Sequence, residues 1–155
     1  HPEAQLVVAG SVEYPALLTE AENLGVLHAV KCLGRVAKSE VADLFSIASV
    51  EAHDLQGYGM GTANLEAMAY SVPIIVAVNP DNFPGIDLNH RHELCLVNAN
   101  SPAEIAKEVI DLLGDDATAK SIGANGRGLV ERHFSIGSVV EKHLRILDQL
   151  KADRG

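Results

Sequence analysis

The sequence predicts an α/β protein: a doubly wound parallel sheet in a three-layer α/β/α arrangement, with about five strands and a helical C-terminus. Three observations predict it. Short apolar runs alternate with amphipathic segments along most of the 155 residues, the pattern of βαβ units. The runs are continuously apolar, as strands covered on both faces are. Amphipathic helical patterns close the chain.

Each element has its own justification. Leu6 to Gly10 is an apolar run stopped by Gly, a buried strand. Tyr14 to Leu24 places Leu17, Leu18, Ala21 and Leu24 at helical spacing, closed by Gly25. Val30 to Gly34 is a second buried strand. Ser39 is placed to cap a helix whose Val41, Leu44, Phe45 and Ala48 form an apolar stripe. Val50 to Leu55 is a weaker, more polar strand. After the Gly-rich Gly57-Tyr58-Gly59-Met60-Gly61, the Ala-, Leu-, Met- and Glu-rich Thr62 to Tyr70 reads as a helix. Pro73 to Val78 is the clearest strand. Asn79 to His92, with Pro80, Pro84 and Gly85, is a loop, and Glu93 to Val97 a fifth strand. Ser101-Pro102-Ala103-Glu104 has the form of a capping box with Pro at the first helical position, opening a helix to Gly114. Helices follow near Asp116 to His133 and Ser138 to Lys151. The stripe Val139, Val140, Leu144, Leu147 and Leu150 of the last helix is most simply packed core.

Composition sets the outer limits. At 47% hydrophobic and 21% charged residues, the chain has ordinary globular usage, which excludes wholesale disorder. The length suits one domain, residues 1–155. No apolar run approaches the roughly 20 residues of a membrane span, so no transmembrane segment is expected. His1-Pro2-Glu3 does not open a signal peptide, and the absence of a starting Met points to a piece of something longer. A net charge of −9 without a Lys/Arg cluster argues against nucleic acid as a partner. Cys32 and Cys95 sit in apolar stretches and lack C-x-x-C spacing, so they read as small buried hydrophobes in a reducing compartment. His90 and His92 flank Arg91 and give only a pair of nitrogens, too few for zinc, so no metal site is expected.

Ligands of parallel α/β sheets bind at the carboxyl ends of the strands. Leu55 to Thr62 is the one strand-to-helix junction here composed like a ligand site. Its glycines let a bulky group approach the backbone, and the helix start offers free N–H groups and positive dipole to an anion. The spacing is neither the Walker pattern nor the usual dinucleotide fingerprint. Glu66, just past the first turn, could accept from both hydroxyls of a ribose. His53, Asp54 and Gln56 lie just ahead of the loop, either beside a bound group or as a polar strand end.

The block from Gly59 to Val76 resembles the signature of glycosyltransferase family 4, in which a Glu-Gly-Phe-Gly loop leads into Leu-Glu-Ala-Met-Ala and a Gly-x-Pro-Val-Val strand. Leu6 to Gly10, Cys32-Leu33-Gly34-Arg35-Val36, Leu94 to Val97, Ser101 to Ala106 and Phe134-Ser135-Ile136 resemble further family segments in the same order. The resemblance implies the Rossmann-like donor-binding C-terminal half of a GT-B enzyme. Such an enzyme transfers a hexosyl group from a nucleotide diphosphate sugar with retention of configuration, without metal or other cofactor. It implies that Gly59, Met60, Gly61 and Thr62 present amides to the diphosphate. Glu66 holds the ribose, and Leu33, Gly34, Arg35 and Val36 lie beside the nucleobase. The implied partners are the nucleotide sugar and an N-terminal acceptor-binding domain of a parent chain. The implied location is cytoplasmic, with any membrane contact made peripherally through that domain.

Three departures qualify the resemblance. Tyr58 stands where the first Glu of the family's Glu-x7-Glu pair belongs, and a phenol cannot supply a carboxylate. The loop from Asn79 to His92 lacks the family's Gly-Gly-x-x-Glu, with Gly85 near the place of its Glu. The family's first β-α unit, with its Gly-Arg and Lys-Gly cations, is not in this chain. In the order 3-2-1-4-5-6 that unit supplies the central strand. Another segment fills its place, or the five strands close up as 2-1-3-4-5. The chain alone is expected to be inactive. Two rivals stand beside this reading: a degenerate, non-catalytic nucleotide- or partner-binding module, and a flavodoxin-like or response-regulator-like module. Against the last, no acidic pair follows the first strand.

Overall fold

The structure, a computed structural model, describes residues 1–10, 14–53, 55–57 and 59–153. Tyr58 and Asp54 lie outside the described residues. The chain divides into two compact units, residues 1–47 and 48–155.

The first unit runs β1 (Leu6–Ala9), α1 (Pro15–Asn23), a 3-10 turn at Leu27–Ala29, β2 (Val30–Gly34) and α2 (Lys38–Ile47). The two strands pair in parallel from Leu6↔Val30 to Ala9↔Gly34, with a register shift between Val8 and Ala9. A βαβ crossover must return over the sheet, and α1 supplies it. Gly25, at φ +70°, ends α1 where L side chains are strained. The helix expected from a Ser39 cap, with Glu40 as its first residue, begins two residues earlier, at Lys38. Ala37 N–H donates to Glu40 Oε2 at 2.6 Å, so the glutamate side chain satisfies that end instead of the serine.

The second unit runs β3 (Glu51–Ala52), α3 (Thr62–Ala69), β4 (Ile74–Val76), a 3-10 turn at Pro80–Asn82, β5 (Cys95–Leu96), α4 (Pro102–Gly114), α5 (Asp116–His133) and α6 (Ile136–Ala152). Its parallel sheet has the order β3-β4-β5, with Ile75 facing Ala52 on one side and Cys95 on the other. β4 is the middle strand, and all three of its residues are buried, as its unbroken apolar run requires. Ile75, Cys95, Leu112 and Ile122 form a core cluster flanked by Val50, Leu55, Val97, Val109 and Ala119.

These elements make the predicted α/β, Rossmann-like architecture of parallel strands, flanking helices and helical C-terminus. Among the described residues the ladders form one two-stranded sheet, β1-β2, in the first unit and one three-stranded sheet, β3-β4-β5, in the second.

Two local expectations are corrected. Ser101 makes no side-chain cap on α4; Glu104 reaches back to Asn98 instead, accepting its N–H and its Nδ2–H at 2.8 Å each. The stripe of α6 is not packed core: no residue of α6 is buried, and Val140, Leu144, Leu147 and Leu150 are about half exposed. Among the described residues, no helix is long and apolar enough to cross a membrane.

Candidate functional site

The loop after β3 turns into α3 within a few residues, and glycine makes that turn possible. Gly59 sits at φ +145° with open space where a Cβ would stand, so backbone strain is what selects glycine there. Gly57, at φ +87°, lies beside the turn before α4, where a Cβ would meet that of Ala99 at 3.3 Å. Asn100 N–H donates to Leu55 O at 3.0 Å and ties that turn to the loop.

Gly61 is the N-cap of α3, in extended backbone. The first intrahelical bond runs from Leu65 N–H to Gly61 O at 3.3 Å. The amides of Thr62, Ala63 and Asn64 precede it, and no helix carbonyl is in place for them. They have no hydrogen-bond acceptor among the described residues. Gly61 N–H differs: it donates to Asn64 Oδ1 at 2.9 Å. Of the four amides the resemblance assigns to a diphosphate, this one turns to the protein.

Thr62 and Glu66 are both exposed and stand four residues apart, on one face of α3. The Glu66 carboxylate has no side-chain partner among the described residues. Met60 is partly buried. Gly59, Met60, Gly61, Thr62 and Glu66 thus lie on one loop-and-helix stretch, with the Gly61 amide bonded to the protein and the Glu66 carboxylate one turn further on.

Leu33, Gly34, Arg35 and Val36 belong to the first unit, at the carboxyl end of β2. Leu33 is 44% exposed, and Arg35 is exposed too. Gly34 adopts φ +66° and accepts the Gly10 N–H at 2.7 Å, which joins the carboxyl ends of β1 and β2. His53 and Gln56 are exposed.

Two residues that the sequence reading passed over hold the loop from beneath. Asn64 is fully buried within α3. Its Oδ1 takes the Gly61 N–H, and its Nδ2 donates to Glu51 Oε2 at 3.0 Å. Glu51 lies on β3 with a side chain only 13% exposed, and His53 Nδ1 stands 4.0 Å from its other oxygen. Both had a legible signal. Asn64 occupies the third helical position, from which a side chain reaches back to the N-cap amide. A Glu on a sheet strand needs a donor once buried.

The histidines expected in a polar loop have protein partners. His90 Nδ1 accepts from Leu96 N–H at 3.1 Å, and His92 Nδ1 lies 2.7 Å from Glu93 Oε1. Among the described residues, no three His, Cys, Asp or Glu side chains cluster as metal ligands. Cys95 is buried, Cys32 half-buried, and both are free.

Comparison with known proteins gives a consistent result. The family described as glycosyl transferases group 1 matches residues 1–129. A GDP-mannose-dependent monoacylated alpha-(1-6)-phosphatidylinositol monomannoside mannosyltransferase of Corynebacterium glutamicum is 29% identical over 157 aligned positions, 94% of this chain and 39% of its own. The chain thus spans about two fifths of the length of that relative. HepE of Anabaena, solved with UDP, superposes with a TM-score of 0.82 at 18% identity, over 96% of this chain and 42% of its own. The C-terminal domain of the group 1 glycosyl transferase LpcC of Francisella tularensis gives 0.73 at 22% identity, over 88% and 72%. With the family matched over most of the sequence and its fold reproduced, the chain belongs to the group 1 glycosyl transferases.

Proposed function

We propose that this chain is the donor-binding part of a retaining hexosyltransferase and holds the nucleotide diphosphate of a nucleotide diphosphate sugar. The observation that carries the reading is the start of α3. Three amides that have no acceptor among the described residues lie at the positive end of a helix dipole, with an exposed carboxylate one turn beyond. The amides of Thr62 and its neighbours receive diphosphate oxygens. Glu66 accepts from the ribose hydroxyls. Catalysis then rests on positioning the sugar and stabilising the charge of the departing diphosphate. Metal plays no part in this reading, an acceptor-binding domain completes the enzyme, and the work is done in the cytoplasm.

Tyr58 favours a second reading, nucleotide binding without transfer, because the residue in place of the first Glu has no carboxylate to offer the donor sugar. One experiment bears on both. Thermal unfolding is followed with UDP-glucose, GDP-mannose and ADP-glucose, for the chain and for Glu66→Ala. At about 100 times its dissociation constant a donor adds about 2.7 kcal/mol, several degrees at this size. The expected result is a shift with one donor that Glu66→Ala abolishes. No shift with any donor sinks the binding reading. Sugar transfer by a chain that binds would discard the non-catalytic one.

A further inference from the structure

Asn64, fully buried, and Glu51, partly buried, form a polar pair beside the candidate site, and neither is needed to build the helix or the strand. A leucine would serve α3 equally well at a fully buried position, and a valine would serve β3. Burying an amide and a carboxylate costs free energy unless each is bonded. Here the bonds run in one line: Gly61 N–H to Asn64 Oδ1 at 2.9 Å, then Asn64 Nδ2–H to Glu51 Oε2 at 3.0 Å. The line starts at the N-cap of α3 and ends on β3, so it joins the loop to the sheet.

Its polarity is fixed. A carboxylate only accepts, so the Asn64 NH2 must face Glu51, and the Asn64 oxygen is thereby forced toward Gly61. Gly61 N–H is then held inward. The amides left to a ligand are those that follow it, at Thr62, Ala63 and Asn64.

We propose that Asn64, oriented by Glu51, is a positioning residue of the donor site: it locks Gly61 inward and so selects the first-turn amides of α3 as the ones that receive the diphosphate. The proposal rests on the donor-binding reading above. Neither residue touches the nucleotide.

The line can be rebuilt with its polarity reversed. N64D keeps an acceptor for Gly61 but sets a second carboxylate against Glu51. E51Q keeps an acceptor for Asn64. With both changes together, the introduced amide donates and the introduced carboxylate accepts, and the line is whole again. Affinity for the nucleotide identified by the donor screen is measured by calorimetry at pH 8, and unfolding without ligand is followed alongside. E51Q, whose amide can present a donor or an acceptor to Asn64, serves as the background for the double variant. N64D is expected to bind about tenfold more weakly than the parent chain, equivalent to about 1.4 kcal/mol, and the double variant to return to within about twofold. In the amide spectrum of the parent chain, Gly61 is protected from exchange without ligand, and Thr62 and Ala63 shift on nucleotide addition while Gly61 stays.

N64D with unchanged affinity, or a folded double variant as weak as N64D, overturns the proposal. Should N64D fail to fold, the double variant against the parent chain decides on the same criterion. A Gly61 amide that exchanges freely, or that shifts most with nucleotide, overturns the clamp while leaving the donor site intact. A parent chain that binds none of the three donors overturns the donor reading, and the clamp with it.

Discussion

A carboxylate that loses water on folding has to find donors, and Glu93 finds them within its own loop. Its Oε2 accepts the Asn89 N–H at 2.9 Å and Nδ2–H at 3.4 Å, and its Oε1 lies 2.7 Å from His92 Nδ1. Burial pushes its pKa up, but the Asn89 amide and the His92 ring outweigh burial and hold it below the ordinary carboxyl value. A carboxyl with a depressed folded pKa contributes stability above its unfolded pKa, and that contribution is lost as pH falls through the folded one. Glu93→Gln is therefore expected to cost about 1–2 kcal/mol at pH 7, and the gap to narrow as pH falls below the ordinary carboxyl value and through the depressed one. Urea unfolding at pH 7 and pH 3 checks this, and an equal gap at both pH values would refute it. Cys95 is the opposite case. Burial first, and Glu108 after it, push its thiol up to about 12. With no thiolate and no exposed surface, it should resist a disulfide reagent at pH 8 until urea unfolds the chain. Labelling of Cys95 in the folded chain would contradict that. The burial of Cys95 was legible in its apolar neighbours. The Asn89–Glu93 clasp was not, because Glu93 reads as the first residue of a strand until the loop before it is folded back.

Elements were most legible where a period repeats. α5 was expected over Asp116–His133 and is found there, and β2 likewise matches Val30–Gly34. The strands of the second unit are shorter than the apolar runs that announce them: β3 keeps Glu51–Ala52 of Val50–Leu55, β4 Ile74–Val76 of Pro73–Val78 and β5 Cys95–Leu96 of Glu93–Val97. The capping box at Ser101 was misread because Glu104 finds two donors on Asn98, which only the folded turn brings near. Close approach of backbones is equally silent in a sequence. In α5, a Cβ on Gly123 would stand 2.0 Å from the Ser71 carbonyl oxygen, with Ser71 itself in the left-handed region at φ +60°. Neither backbone can yield, since Ser71 joins α3 to the buried β4. Gly123→Ala should lose about 3 kcal/mol, a fall in Tm of roughly 10 °C. Gly137→Ala in α6, where nothing lies within 4 Å, should raise Tm slightly through helix propensity. Calorimetric scans of the two variants compare them directly. A Gly123→Ala chain that melts with the parent would show that α5 does not pack as described.

For the molecule as a whole, composition and periodicity revealed the fold class and the order of elements. They could not reveal which strands share a ladder, because strand partners are chosen in three dimensions and each apolar run suits several neighbours. Nor could they locate the core. Among the described residues, the buried apolar side chains fall between Ala67 and Leu129, and residues 1–47 contribute Ala21 alone. In the first unit Leu6, Val7 and Leu33 are 42–50% exposed on a sheet of two strands. A two-stranded sheet with so little buried surface is marginal in water, whereas three strands covered by helices can stand alone. Stability should therefore be unequal along the chain. Native-state amide exchange is expected to find its slowest amides in β4, at Met68 of α3 and at Ile122 and Leu129 of α5, while β1 and β2 exchange well before global unfolding. A fragment of residues 48–155 should keep its helical circular dichroism and a cooperative urea transition, and residues 1–47 alone should show neither. Equal protection of β1 and β4, or a 48–155 fragment without a transition, would mean that the first unit is part of the cooperative core and that the burial pattern misplaces the source of stability.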